Sequence, residues 1–343
     1  MSQKQPETQP IRVGVVGYGY WGPNIVRNLA ATPGVQPVMV ADQDEKRLAK
    51  VRAVHPSVQT CRDVDQLVGS PDVDAVAVVT PVTTHHPIAK AALLAGKHVL
   101  LEKPMTATVA EAEELIRIAD ERRLTLMVDH TFLYNGAIRA IKTLIDRGEL
   151  GEILYYDSTR INLGLFQRDV SVVWDLAPHD FAIMDYLLGK YPTSMTALGS
   201  TFGGQQTCVA FVVAKFADAT LAHFHLNWMS PTKVRRLIIG GTRKMVVYDM
   251  AFPEEQVKVY DKGVDFLERA GVHETLVQYR IGDMHAPQIP NIEPLAMLCG
   301  EFGEAIRQER KPLTDGAAGL RCVKLLTAAE QSLRRDGSPV LLM

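Results

Sequence analysis

Apolar and polar positions follow two different rhythms along the chain. Ile11-Arg12-Val13-Gly14-Val15-Val16 is a nearly continuous apolar run, the mark of a strand buried on both faces. Beyond it the period switches back and forth, predicting a helix over 24–31, a strand over 35–41, a helix over 45–54, a strand over 75–80, a helix over 88–95, a strand over 99–101, a helix over 109–122 and a strand over 125–128. Alternation of this kind predicts an α/β fold with a doubly wound parallel sheet and helices on both faces.

After about residue 130 the rhythm changes. Helix 138–146, strand 153–160 and helix 176–188 are followed by strand runs at 194–199, 208–216, 220–228, 234–240 and 245–249. Turns such as Phe216-Ala217-Asp218-Ala219 and Gly240-Gly241-Thr242-Arg243 join successive strands and predict an open, largely antiparallel sheet. Two helices, 294–310 and 315–335, close the chain and are expected to pack back on the first part. The organisation is therefore a polar leader (1–10), a Rossmann-type domain (11–130) and a second α/β domain (131–343).

Composition narrows the class. A chain of 343 residues, 47% apolar and 22% charged, has room for about two globular domains. Thirty-seven basic against 39 acidic residues give a net charge of -2, which offers no field for nucleic acid or an anionic membrane. Cys61, Cys208, Cys299 and Cys322 are far apart and form no metal or redox pair, so reduced thiols and a cytoplasmic location are expected. The first ten residues are polar, and no apolar run is long enough to span a membrane.

Chemistry enters at Gly17-Tyr18-Gly19-Tyr20-Trp21-Gly22, between a predicted strand and a predicted helix. The first glycine permits the tight turn, the second lets backbone approach a pyrophosphate, and the third lets helix pack on strand. The helix start, with Pro23 as an early residue, then presents N–H groups to the phosphates. Tyr20 and Trp21 lie in the same turn. Asp42 closes the second strand 20 residues beyond Gly22, where a carboxylate accepts from an adenine-ribose diol and repels a 2′-phosphate, favouring NAD over NADP. Lys46 and Arg47 nearby soften that preference.

Further along, Glu102-Lys103-Pro104 ends a predicted strand. Solvated charges explain most such triplets, but ligands of doubly wound sheets bind beyond the carboxyl ends of the strands. Asp175 and His179, four apart, share one face of a helix. Pro178 between them is tolerated if Asp175 caps the helix and Pro178 falls in its first turn. The helix dipole then lowers the pKa of His179 and a contact with Asp175 raises it, and the sequence leaves the balance open. The plainer alternative is an aspartate cap beside a packed histidine.

With the glycine turn, Thr80-Pro81, Glu102-Lys103-Pro104 and Asp175-x-x-x-His179 in this order, the chain resembles the glucose-fructose oxidoreductase, inositol dehydrogenase and rhizopine catabolism (Gfo/Idh/MocA) family over about residues 11–250. The resemblance implies a Rossmann domain followed by an open-faced sheet domain, and a nicotinamide-dependent oxidoreductase interconverting a secondary hydroxyl and a ketone on a sugar, nucleotide sugar or cyclitol. It implies that Lys103 points toward substrate, that Glu102 and Pro104 belong to the cofactor wall, that His179 gives and takes the proton, and that Asp175 orients the substrate. Homodimers or homotetramers are implied as well. Ser171-Val172-Val173-Trp174 departs from the glycine-rich stretch of many members and leaves the substrate pocket open.

Weaker candidates surround these. Thr80, Pro81 and His85 lie at the same rim and are cofactor contacts or ordinary turn residues. His130, Tyr134 and Asn135 follow the crossover into the second domain, and Arg160, Asn162 and Trp174 are candidate sugar contacts. His223 and His225 share one strand face without metal-ligand company, so no metal is expected. Two other readings stand beside the dehydrogenase: a redox-neutral, NAD-using glycoside-cleaving enzyme, and a noncatalytic dinucleotide-binding regulator.

Overall fold

Ile11–Val16 forms β1, and its four last residues are fully shielded, as the continuous apolar run requires. The computed structural model describes residues 9–164, 170–203, 206–268 and 275–342. The chain divides into two units, Met1–Tyr134 with Ile292–Lys324, and Asn135–Asn291 with Leu325–Met343.

In the first unit β1 is followed by α1 (Gly22–Ala31), β2 (Val35–Ala41), α2 (Glu45–Val54), β3 (Gln59–Cys61), α3 (Val64–Val68), β4 (Ala75–Val78), α4 (His85–Leu94), β5 (His98–Leu101), α5 (Val109–Arg122) and β6 (Leu126–Val128). The six strands are parallel in the order β3-β2-β1-β4-β5-β6. Strand order reverses between β1 and β4, which opens a crevice at their carboxyl ends. Helix α5 illustrates how local sequence sets an element. Thr108 accepts from Glu111 N while the Glu111 side chain accepts from Thr108 N, a reciprocal cap that satisfies two otherwise orphaned donors. The outer edge of β6 is covered by a later segment: Val128 N donates to Thr314 O at 2.8 Å, and Met127 bridges Asp315.

In the second unit, α6 (Gly136–Asp146) is followed by β7 (Ile153–Leu163), α7 (Val172–Leu188), β8 (Ser194–Ser200), β9 (Val209–Lys215), β10 (Leu221–Asn227), β11 (Met229–Gly241), β12 (Met245–Asp249), β13 (Val257–Glu268) and β14 (Thr275–His285). Then come α8 (Pro294–Arg307) in the first unit, α9 (Gly316–Leu333), within which the division between units falls, and β15 (Val340–Leu341). The sheet runs β14-β13-β12-β11-β7-β10-β9-β8-β15 and is antiparallel except where β10 pairs parallel with β7. One face packs Tyr156, Phe224 and neighbours under α7, where Phe181 meets Phe224 edge to face. The other carries Tyr155, Leu198, Phe211, Val213 and Leu221, all well exposed.

Helix α7 corrects one expectation. It begins at Val172 with Ser171 as its N-cap residue, so Asp175 is not the cap but lies in the first turn, and Pro178 lies inside the helix. The early start is fixed from outside, because Val172 N donates to Thr207 O at 2.8 Å and the first helical bond runs from Asp175 N to Ser171 O. Proline lacks its own N–H and its ring crowds the carbonyl four residues back, so the helix forgoes the bond to Trp174 O yet continues to Leu188. Among the described residues, no helix is long and apolar enough to cross a membrane, and no cluster of three metal-ligating side chains occurs. None of the four cysteines is in a disulfide, and all are buried.

Candidate active site

The first unit builds a cradle at the carboxyl ends of β1 and β2. Gly17 has φ +99°, and a Cβ there would stand 2.3 Å from Val79 O. A Cβ on Gly22 would meet Gly17 O at 2.6 Å, so both positions require glycine. Over Gly19, by contrast, the nearest atom is 3.9 Å away, and Tyr20 stands 94% exposed. Helix α1 starts at this turn without a side-chain cap. Bare backbone at Gly19 and an uncapped helix start fit a pyrophosphate.

Asp42 is fixed in place beside the turn. Its Oδ2 accepts from Tyr18 N at 2.7 Å, its Oδ1 accepts from Asp44 N at 2.8 Å, and Arg47 lies 3.4 Å from Oδ2. A carboxylate so held keeps lone pairs for a vicinal diol, and it opposes a phosphate at the same place.

At the neighbouring strand ends, His85 is almost fully buried and ties two of the sequence motifs together. Its Nε2 lies 2.8 Å from Thr80 O and its Nδ1 3.0 Å from Pro104 O. Both partners are carbonyls, so a neutral ring donates to only one of them. Burial pushes the imidazole pKa below its ordinary value, against the pull of the carbonyls. Thr84 Oγ1 lies 2.8 Å from Thr80 Oγ1 and 2.7 Å from Pro81 O, which folds this turn onto itself. The Lys103–Pro104 bond is cis.

Behind this rim stands a polar cluster. Glu102 and Asp129 follow the paired residues Leu101 and Val128, and the Glu102 pKa is raised well above the usual carboxylate range, first by burial and then by the Asp129 charge, with Lys103 pulling the other way. Asp129 also accepts from Trp21 Nε1 at 3.3 Å and from the Thr131 hydroxyl. His130 is 2% exposed, and burial, Lys103 and Arg321 push its pKa down to about 4, leaving a neutral ring at physiological pH. Tyr134 is buried as well: Thr314 donates its hydroxyl proton to Val128 O, so the phenol 3.3 Å away donates to Thr314.

In the second unit Asp175 and His179 lie one turn apart on α7, and Asp175 Oδ2 accepts from the indole Nε1 of buried Trp228 at 2.9 Å. Arg160 is turned inward, its Nε 2.6 Å and Nη2 3.1 Å from the two oxygens of Asp180, which also accepts from Ser158 Oγ at 3.0 Å. That pairing accounts for Arg160 without a sugar. Asn135 caps α6 by accepting from Ala137 N at 2.8 Å. Asn162 and Trp174 are half-buried.

The structure thus brings together the glycine turn with Asp42, and Thr80 with His85 and Pro104. Sequence reasoning missed Asp129, Trp228 and Asp180. Asp129 carried the one usable signal, an acid directly after a parallel strand. A cavity of about 320 Å³ in the first unit lies at the start of β5 and β6, away from the strand ends that carry the glycine turn. Two of its lining cations are already paired, Arg310 with Glu301 and Lys311 with Asp120.

A six-stranded parallel sheet in this order, with a glycine turn and an acid closing β2, defines a dinucleotide-binding protein of the oxidoreductase type. The chain belongs to the Gfo/Idh/MocA oxidoreductase family: residues 11–130 match its NAD-binding Rossmann fold and residues 138–247 its C-terminal domain. It is 30% identical to UDP-N-acetylglucosamine 3-dehydrogenase of Acidithiobacillus ferrooxidans over 95% of this chain and 99% of that one. The solved structure of that enzyme superposes with a TM-score of 0.81, at 25% identity, over 96% of this chain and 99% of its own. The NADP-dependent scyllo-inositol 2-dehydrogenase IolW of Bacillus subtilis is 25% identical over 96% of each chain. The fold also matches GenD2 of gentamicin A biosynthesis, solved with NAD, at a TM-score of 0.82 and 23% identity over 100% of this chain and 99% of that one.

Proposed function

We propose that this chain is a NAD-dependent dehydrogenase that interconverts a secondary hydroxyl and a ketone on a sugar, nucleotide sugar or cyclitol. The observation that carries the cofactor choice is Asp42, whose carboxylate is fixed by two backbone N–H groups beside the glycine turn. NAD, when bound, supplies the hydride acceptor. Asp42 holds the adenine-ribose diol, and the backbone at Gly19 and the start of α1 take the pyrophosphate. Thr80, Pro81 and Pro104 form the nicotinamide side, and His85 keeps two of these turns in register from behind.

For the chemistry, His179 accepts the hydroxyl proton as the alkoxide develops, Lys103 stabilises that oxygen with its charge, and Asp175, steadied by Trp228, orients the substrate. The relatives named above act on a nucleotide sugar and a cyclitol, which supports this substrate class. We place the enzyme in the cytoplasm, a reading supported by four buried cysteines outside any disulfide.

The test is reduced-nicotinamide absorbance with a panel of sugars, cyclitols and nucleotide sugars. The proposal expects net NADH formation with a member of this class, and product without net NADH would overturn it in favour of a redox-neutral cycle. His179→Asn is expected to lower kcat by about 10²–10⁴-fold while NAD binding is retained. Wild-type turnover in that variant would remove His179 from its role.

A further inference from the structure

Glu102 and Asp129 stand just past the ends of adjacent parallel strands, β5 and β6. Their backbones are pinned, since Glu102 N donates to Val78 O at 3.0 Å and Asp129 N to Leu101 O at 2.8 Å. They follow the paired residues Leu101 and Val128 and so stand side by side, Glu102 Oε2 is sealed from solvent, and Asp129 is 2% exposed. Two negative charges side by side repel strongly where water does not screen them, so one of the two carboxyls keeps its proton.

The surrounding donors say which carboxyl carries the proton. Asp129 already accepts from Trp21 Nε1 and Thr131 Oγ1, the pattern of an ionised group. Glu102 Oε2 has no partner among the described residues, the pattern of a neutral one. The other titratable groups facing the pair do not change this. Lys103 favours the ionised form but is outweighed by burial and Asp129. His130 and His85 are both held toward the neutral form by burial, Arg321 acts on His130, and Cys299 is kept protonated by burial and the Asp129 charge.

We infer that Glu102 and Asp129 share one proton and act as a positioning pair for the cofactor, fastening the Glu102–Pro104 rim to Trp21 in the glycine turn. The pair thereby sets the spacing between the pyrophosphate side and the nicotinamide side of the cradle. For its ligand the inference rests on the NAD reading above; the shared proton stands without it. Taking the proton away leaves two like charges side by side and pushes the rim from the turn. Cofactor affinity therefore falls as pH rises through the ionisation of the pair, with a slope of about one in log Kd per pH unit.

The experiment is calorimetric titration of the full-length protein with NAD across neutral and alkaline pH, for the wild type and Glu102→Gln. The Gln amide donates to Asp129 in place of the shared proton, so the alkaline fall is expected in the wild type and absent in the variant. An alkaline fall that persists in Glu102→Gln overturns the inference. Glu102→Ala, which removes the tie, is expected to bind NAD about tenfold or more weakly; unchanged binding overturns the positioning role. The infrared spectrum of the wild type without NAD provides a readout independent of any variant's folding. A protonated-carboxyl carbonyl band at neutral pH that disappears on alkaline titration is expected, and its absence overturns the shared proton. If the wild type binds no NAD at neutral pH, the cofactor reading and the positioning role fall together, while the infrared band still decides the proton.

Discussion

Asp42 concentrates the recognition problem into one side chain. Its carboxylate accepts from Tyr18 N and Asp44 N, which is how a buried anion is kept in place without a fully paired cation. On the role proposed for Asp42, Asp42→Ser removes charge-assisted bonds to a ribose diol, worth about 1.5–3 kcal/mol. NAD affinity is expected to fall by roughly tenfold to a hundredfold. Preference over NADP narrows at the same time, as paired titrations with the two cofactors would measure. Undiminished preference would remove Asp42 from cofactor choice. The nearness of Asp42 to the glycine turn was legible because the two follow adjacent parallel strands, β2 and β1. Asp129 was not: an acid after a strand reads like any solvated acid until the fold brings Trp21, Thr131 and Glu102 around it. Arg160 misled for a related reason. Strand period puts it on the same face as Tyr156 and Ser158, and only the packing of α7 shows that this face is the core one.

Among the elements, α7 and β7 are held together by that buried pair. Arg160 and Asp180 are each about 5% exposed, so neither charge has water to fall back on. Removing one partner leaves the other uncompensated, a change of about 3–5 kcal/mol. Arg160→Leu is therefore expected to lower the denaturation midpoint sharply, and Arg160→Leu with Asp180→Leu to recover much of the loss. Equal stability of the single variant and the wild type would mean that the pair does not anchor α7. Long periodic helices and core strands were readable: α5 runs from Val109 to Arg122 and β2 from Val35 to Ala41, as the pattern predicts. The start of α7 was hidden because Pro178 argues for a boundary that Thr207 O overrides from another part of the chain. Strand β3, three residues long, is too short to show a period. The hairpin of β13 and β14 went unread because charged residues such as Lys258, Asp261 and Lys262 break its apolar runs.

For the molecule as a whole, the open face of the second sheet bears on assembly. Phe211 is 47% exposed, stacks on His225 at 4.6 Å, and sits among Leu198, Val213 and Leu221. Contiguous apolar surface of this kind calls for cover. We therefore expect a homodimer or homotetramer formed through this face, with Phe211→Glu shifting a sizing measurement toward the 37.9 kDa species. A wild type that runs only at that mass would end this expectation. The division into two α/β parts was legible from the change of rhythm near residue 130. The closing helices were expected to pack back on the first part, and Ile292–Lys324 groups with the first unit; that this return stops inside α9, at Lys324, leaves no local pattern.

That return sets a timetable for the growing chain. Thr314, which covers the edge of β6, follows Val128 by 186 residues. On a ribosome making about 5–20 residues per second, β6 waits roughly 10–40 s for its cover. During that interval the newborn sheet presents a bare strand edge, open to pairing with any other nascent chain. The same gap makes any fragment ending before residue 314 prone to aggregation, however complete its nucleotide-binding motif.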